Sequence, residues 1–169
     1  VPQDDPARAL EEAQEAIRVG CKAIWVLSSP AADKCPSHPD LDAFWTLLAD
    51  KGIPFVLHIG AGSRVLPQEY TNNGKARSPD LHGGGENLRV RDFMALAFAP
   101  QMFLTSLVFD GVFERFPSLR GGVIELGAGW VPEFLRTLDT SQKIFKRSDP
   151  QVAALSLRAS DYIRRQVRF

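Results

Sequence analysis

The sequence predicts an α/β domain built on a parallel sheet, and three observations lead there. Residues 23–27, 53–57 and 119–126 are short, near-continuous apolar runs, the pattern of strands covered on both faces. Each run follows a stretch with helical spacing, and the first two are separated from their helices by a glycine, Gly20 and Gly52. Each run also exits into polar or glycine-rich chain, beginning at Ser28, His58 and Glu125. Alternating helix and strand implies parallel strands joined by right-handed crossovers. An open doubly wound sheet and part of a closed eight-stranded barrel satisfy this pattern equally.

The elements follow in order. Asp4 or Asp5 before Pro6 is a helix start, a capping carboxylate with proline in the first turn. Leu10, Ala13, Ala16 and Ile17 then recur at helical spacing until Gly20 stops the helix. Cys21, at the entrance to the 23–27 strand, reads as a small buried hydrophobe. His38 lies in a proline-rich loop and reads as solvent-exposed. Asp40 or a residue near it caps a second helix with Leu41, Phe44, Trp45, Leu47 and Leu48 on its apolar face, ended by Lys51-Gly52. The 53–57 strand follows, with Pro54 near its start, where no ladder donor is needed.

Residues 61–87 form the longest irregular stretch, and a loop of that length in a compact domain is commonly a lid over a site or disordered. It carries His82-Gly83-Gly84-Gly85, which resembles a lipase-type oxyanion loop, yet no GxSxG nucleophile elbow exists and no GK[ST] phosphate loop follows. Residues 88–116 read as two helices broken at Pro100, the first burying Phe93, Met94, Leu96 and Ala97. The third strand ends at Glu125, and a carboxylate there is costly unless paired, bonded or metal-bound. Trp130-Val131-Pro132 opens a helix with Phe134, Leu135, Leu138 and Ile144 on its apolar face, broken at Ser148-Asp149-Pro150. A short amphipathic stretch and a final helix or strand from Ser160 complete the chain.

Composition narrows the function. The 169 residues suffice for one domain with a real core, and twenty basic residues balance twenty acidic ones. The C-terminal end is basic (Lys143, Lys146, Arg147, Arg158, Arg164, Arg165, Arg168), but no aromatic platform interleaves it, so no nucleic-acid partner is expected. No run approaches the roughly 18 apolar residues of a membrane span. Cys21 and Cys35 have no metal-type spacing, and nothing requires an oxidising compartment, so a cytoplasmic location is expected. The N-terminal VPQDDPARAL is no signal peptide. Both ends read as cut rather than finished.

His58 stands at the tip of a buried strand with glycines behind it, the place where α/β folds carry chemistry. Alone, it reads equally as a core histidine satisfied by a neighbour.

Longer strings add to this. Residues 52–60 (GIPFVLHIG), 109–120 (FDGVFERFPSLR), 123–139 (VIELGAGWVPEFLRTLD) and 160–166 (SDYIRRQ) resemble the amidohydrolase-related family, the amidohydrolase 2 or ACMSD-like group of metal-dependent (β/α)8-barrel hydrolases. The resemblance implies that residues 1–169 are one incomplete barrel domain, roughly its fourth to sixth strands, truncated at both ends. It implies a divalent metal, commonly zinc, held by an HxH pair on the first strand, histidines on the fifth and often the sixth, and an aspartate on the eighth. His58 then corresponds to the fifth-strand ligand, and Glu125 stands where the sixth-strand histidine would. This departure from the family pattern implies a carboxylate ligand, a salt-bridged spectator or altered metal use at Glu125, which is expected as a metal ligand and as a catalytic acid, with His82 as a second catalytic candidate. The implied reaction on a small-molecule substrate is hydrolysis of a C–N or C–O bond, or decarboxylation of an aromatic or unsaturated acid. The isolated chain is expected to be inactive. The alternative is a non-catalytic barrel relative that lost its metal, for which Glu125 in place of histidine speaks. An open-sheet hydrolase using His82 lacks its nucleophile. The aromatic residues of 88–116 fit a homodimer surface or the barrel's outer helix layer.

Overall fold

The computed structural model describes residues 1–28, 34–59, 68–70, 72–76 and 90–169, apart from the side chain of Asp92. The candidate His82 and most of the 61–87 loop lie outside the described residues.

Helix α1 (Pro6–Arg18) begins as expected: Asp5 accepts a hydrogen bond from the Arg8 amide at 3.1 Å, and Pro6 fills the first turn. Strand β1 (Ile24–Val26) follows, then α2 (Asp42–Lys51), β2 (Phe55–Leu57), α3 (Val90–Ala95), α4 (Phe98–Phe109), α5 (Val112–Arg115) and β3 (Gly121–Val123). The chain closes with α6 (Val131–Phe145), α7 (Pro150–Ala154), α8 (Ala159–Gln166) and β4 (Val167–Arg168). Residues beyond 159 thus form a helix and then a fourth strand, one more than the apolar runs had signalled. Only two residues long, β4 is too short to print a pattern of its own.

The four strands are parallel, in the order β1-β2-β3-β4. Register makes two faces. Ile24, Val26, Phe55, Leu57, Val123 and Val167 are buried under the helices. Trp25 and Ile124 stand on the opposite face, both half-exposed, and Val56 and Gly122 share it. On the helix side the Phe55 ring packs on Trp45 of α2, Phe103 of α4 and Phe113 of α5, with centroids 5.7, 6.0 and 6.4 Å away. Trp45 is fully buried, and its indole N–H donates to the Pro36 carbonyl at 2.9 Å. Gly52 ends α2 in the left-handed conformation at φ 62°, as its position after Lys51 predicted.

The N-terminal amino group donates to the Trp25 carbonyl at 2.7 Å, along the free edge of β1. At the other end α6 caps α8: Asp139 accepts from the Ser160 amide and hydroxyl, both at 2.9 Å, and Gln142 accepts from the Ala159 amide. Much of the basic C-terminal end is engaged internally, since Arg165 donates to the Phe113 carbonyl and Arg168 to the Arg164 carbonyl.

Several sequence expectations need correction. Pro100 does not break the helix, because it lies in the first turn of α4, where its missing N–H has no helical acceptor to lose. The break falls before Phe98, and a second comes at Gly111, which adopts φ 75° and separates α4 from α5. Phe93, Met94 and Ile144 are exposed rather than core. Cys21 is exposed too, as it lies in the turn after α1 instead of within β1. His38 is partly exposed, and its ring Nδ1 accepts from the Asp40 amide at 3.2 Å, capping a short 3-10 turn at Pro39–Leu41. That bond accounts for His38 structurally.

Candidate active site

The C-terminal ends of β1, β2 and β3 bring three side chains together. His58 follows Leu57 directly, so strand alternation turns it to the same face as Val56, opposite the helices. The ladder between β2 and β3 continues one step beyond the strands, with the Ile124 amide donating to the Leu57 carbonyl at 2.9 Å. Continued alternation would send Glu125 toward the helices. Instead Glu125 takes φ 58° and is the one non-glycine residue with positive φ among the described residues. That conformation costs an L-residue about 1–2 kcal/mol. It reverses the side chain's direction, and Glu125 Oε2 meets His58 Nε2 at 2.8 Å. Gly127, at φ 66°, completes the turn, and the Trp130 indole N–H holds it by donating to the carbonyls of Leu126 and Gly127 at 3.1 and 2.9 Å.

The third member is Trp25. Its ring meets the His58 imidazole edge-on, at 6.4 Å between centroids and 77° between planes. Nothing in the strand pattern of 23–27 had set Trp25 apart from its apolar neighbours. Its parity in the β1 register was the available signal, since Trp25 pairs with Val56 on the face opposite Ile24 and Val26.

Both ring nitrogens of His58 face acceptors. Nδ1 lies 2.7 Å from the Ile59 carbonyl, which can only accept, so Nδ1 carries the proton of that bond. Nε2 faces a carboxylate oxygen, also an acceptor when ionised. The contact is satisfied by a doubly protonated ring, by a protonated carboxyl group, or by a cation held by both groups. The His58 and Glu125 side chains are 39% and 64% exposed, so as a plain ion pair they would contribute about 0–1 kcal/mol. The cost of the Glu125 backbone is therefore not recovered by the pair alone.

A divalent metal fits this donor set in part. With Nδ1–H tied to a backbone carbonyl, the imidazole is oriented as metal-bound histidines are, and Nε2 is the nitrogen left to ligate. Glu125 adds a carboxylate oxygen aimed at the same point. A zinc-type site needs about three protein ligands and an open position. Among the described residues no three histidine, cysteine, aspartate or glutamate side chains cluster to supply them. No described helix is long and apolar enough to cross a membrane.

The fold has relatives among solved structures. The chain is similar to an amidohydrolase from Mycobacterium avium subsp. paratuberculosis K-10, at 25% identity and a TM-score of 0.78 over 99% of this chain and 40% of that one. It also resembles 5-carboxyvanillate decarboxylase from Sphingomonas paucimobilis, at 20% identity and a TM-score of 0.67, over 96% of this chain and 44% of that one. A third is 5-carboxyvanillate decarboxylase from Novosphingobium aromaticivorans DSM 12444, complexed with manganese and 4-hydroxy-3-methoxy-5-nitrobenzoic acid. There the identity is 19% and the TM-score 0.71, over 99% of this chain and 44% of that one. The chain thus spans less than half the length of these relatives, and its four strands are a portion of a (β/α)8 barrel. No curated protein matches the sequence. The amidohydrolase family model matches residues 1–154, and the chain belongs to that family.

Proposed function

We propose that His58 and Glu125 are two ligands of a divalent metal in an amidohydrolase-type barrel. The enzyme would hydrolyse a C–N or C–O bond, or remove a carboxylate from an aromatic or unsaturated acid. The observation that carries this reading is the convergence of His58 Nε2 and Glu125 Oε2 at 2.8 Å across adjacent strand ends, with Nδ1 anchored on the Ile59 carbonyl. The remaining ligands would come from strands that complete the barrel. When bound, the metal would supply Lewis acidity and lower the pKa of bound water. His58 would hold its ring through the Ile59 bond so that Nε2 keeps one direction. Glu125, half in solvent, would ligate or move a proton at Oε2. Trp25 would wall the His58 side against water and offer an aromatic edge to a substrate ring. Zinc is the metal the family resemblance favours, while manganese accompanies one structural relative. His82 is retained as a further catalytic candidate on its sequence position alone.

A second reading has one observation behind it. Two acceptors facing the two nitrogens of His58 are also satisfied without a metal, by a doubly protonated ring paired with Glu125. Metal analysis of the purified polypeptide carrying this chain separates the two, with His58→Ala and Glu125→Gln beside the wild type. The metal reading expects near-stoichiometric metal in the wild type and loss of most of it in His58→Ala. Equal metal in wild type and His58→Ala would remove His58 as a ligand, and no metal in any of them would leave the ion pair.

A further inference from the structure

Residues 72–76 belong to the long irregular stretch after β2, and all five are exposed. They include Asn73-Gly74; of the three asparagines, Asn72, Asn73 and Asn87, only Asn73 precedes a glycine. The local hydrogen bonds leave that pair in a reactive arrangement. The Asn72 amide donates to the Glu69 carbonyl at 3.3 Å, and the Lys75 amide donates to Asn73 Oδ1 at 3.1 Å. The Gly74 amide between them has no partner among the described residues. Gly74 adopts φ 72°, and nothing lies within 4 Å of the place where a Cβ would stand. Its nitrogen is therefore uncrowded and open to solvent.

These features meet the requirements for attack by a backbone nitrogen on the side-chain amide before it. The nitrogen must be free to lose its proton to water, and the side-chain carbonyl oxygen must be stabilised as it gains negative charge. The Lys75 N–H already bonds that oxygen. We propose that Asn73 is a site of spontaneous deamidation. The Gly74 nitrogen, as its proton leaves, bonds Asn73 Cγ and closes a five-membered imide. The Cγ–Nδ2 bond then breaks, and Nδ2 departs as ammonia with a proton taken from water. Water opens the imide at either carbonyl, leaving an aspartyl residue or an isoaspartyl one. In sum, one amide and one water give one carboxylic acid and one ammonia.

A second pair of this kind shows what the fold decides. Asp110-Gly111 would close the same imide with loss of water, but both reacting groups there are committed. Gly111 donates its N–H to the Val108 carbonyl at 3.2 Å, and the Asp110 carboxylate accepts from the Ser37 hydroxyl. Asn72 is followed by Asn73, whose side chain crowds the approaching nitrogen. Reaction at Asn73 adds one negative charge to a chain whose formal charges cancel. The isoaspartyl product also adds a methylene to the backbone of the stretch that leaves the strand end carrying His58.

Peptide mapping by mass spectrometry tests the proposal on the intact polypeptide, incubated at mildly alkaline and mildly acidic pH. The peptide containing Asn73 is expected to gain the mass of an amide-to-acid change and to split into two chromatographic species, the isoaspartyl one in excess. The change should be faster at the alkaline pH. Asn73→Gln should abolish it in that peptide, and Gly74→Ala should slow it by an order of magnitude or more. Asp110-Gly111 should stay unchanged. A synthetic peptide of residues 69–77 gives the rate of the sequence alone, which the folded chain should match or exceed. A folded chain slower than the peptide would overturn the proposal, as would equal reaction at Asn72 or Asp110, or a mass gain that survives Asn73→Gln.

Discussion

Replacing Gly121 by alanine should be among the most damaging one-carbon changes in this chain. Gly121 pairs with Phe55 across β2 and β3, on the face beneath the helices. A Cβ built there would lie 2.2 Å from Phe55 Cζ and 2.6 Å from both Cε atoms. The aromatic ring therefore occupies the volume a side chain would need. It has nowhere to retreat, because Phe55 is fully buried and boxed in by Trp45, Phe103 and Phe113. Overpacking a well-filled core costs about 1–3 kcal/mol, and the rigidity of the aromatic box puts this site at the upper end. Alanine recovers about 0.5–1 kcal/mol over glycine through the unfolded chain, leaving a net loss of about 2 kcal/mol.

Urea unfolding followed by circular dichroism measures this directly, with Gly122→Ala as the internal comparison. Gly122 points to the other face, where its added Cβ would meet Val56 Cγ2 at 3.9 Å, an ordinary contact. That variant should lie within about 0.5 kcal/mol of wild type. Phe55→Leu should rescue part of the Gly121→Ala loss, with a coupling of about 1 kcal/mol in a double-mutant cycle. If Gly121→Ala were as mild as Gly122→Ala, or showed no coupling to Phe55, the packing argument would fail.

Two further predictions concern single residues. Tyr162 is buried; its hydroxyl donates to Glu114 and accepts from the Leu157 amide at 3.1 Å, so Tyr162→Phe should cost about 1–3 kcal/mol in urea unfolding. The Tyr162 hydrogen bond holds the Glu114 carboxyl below its ordinary range, so its contribution is present above pH 4.5 and lost as pH falls through the lowered value. Burial, and then Glu114, push the Tyr162 phenol up, so its contribution is complete below pH 10 and lost as pH rises through the raised value. Unfolding midpoints against pH should show both limbs in the wild type; Tyr162→Phe should lose the alkaline limb and keep a smaller acid limb, because Ser156 and Arg165 still act on Glu114. Glu125→Gly should stabilise the metal-free chain by about 0.5–1 kcal/mol, because glycine relieves the φ 58° backbone and the lost ion pair is half-exposed. Thermal unfolding checks it, and a loss of stability would show that Glu125 holds more than His58.

The legible part of the fold was the part with local causes. Asp5-Pro6 before α1 and Gly52 after α2 act within one turn, and both stand where their chemistry predicted. The apolar runs located three strands, since burial on both faces leaves its mark in composition. What escaped the sequence depends on partners distant in the chain. Gly121 and Gly122 are adjacent and identical in type, yet Phe55 makes one indispensable and leaves the other open. Phe93 and Met94 have the hydrophobicity of core residues, and no periodicity reveals that they face outward. At the site, His58 could be anticipated because alternation along β2 places it, whereas its contact with Glu125 requires a departure from alternation. Trp25 was hidden by lying inside a run that looked uniformly apolar.

The same strands thus serve two ends on opposite faces. Toward the helices, the Phe55–Gly121 pair and the aromatic box set stability; toward the other face, His58, Trp25 and the reversed Glu125 converge. Natural strain survives where something other than stability retains it. Glu125 spends backbone energy to reach an exposed histidine, although glycine at the same place would be cheaper. The separation has a consequence that can be measured. Gly121→Ala should lower stability without altering metal content under conditions where the chain stays folded. Glu125→Gly should raise the stability of the metal-free chain while lowering metal content when metal is supplied. If both properties moved together in both variants, the two faces would be one coupled structure, and the strain at Glu125 would belong to the fold instead of the site.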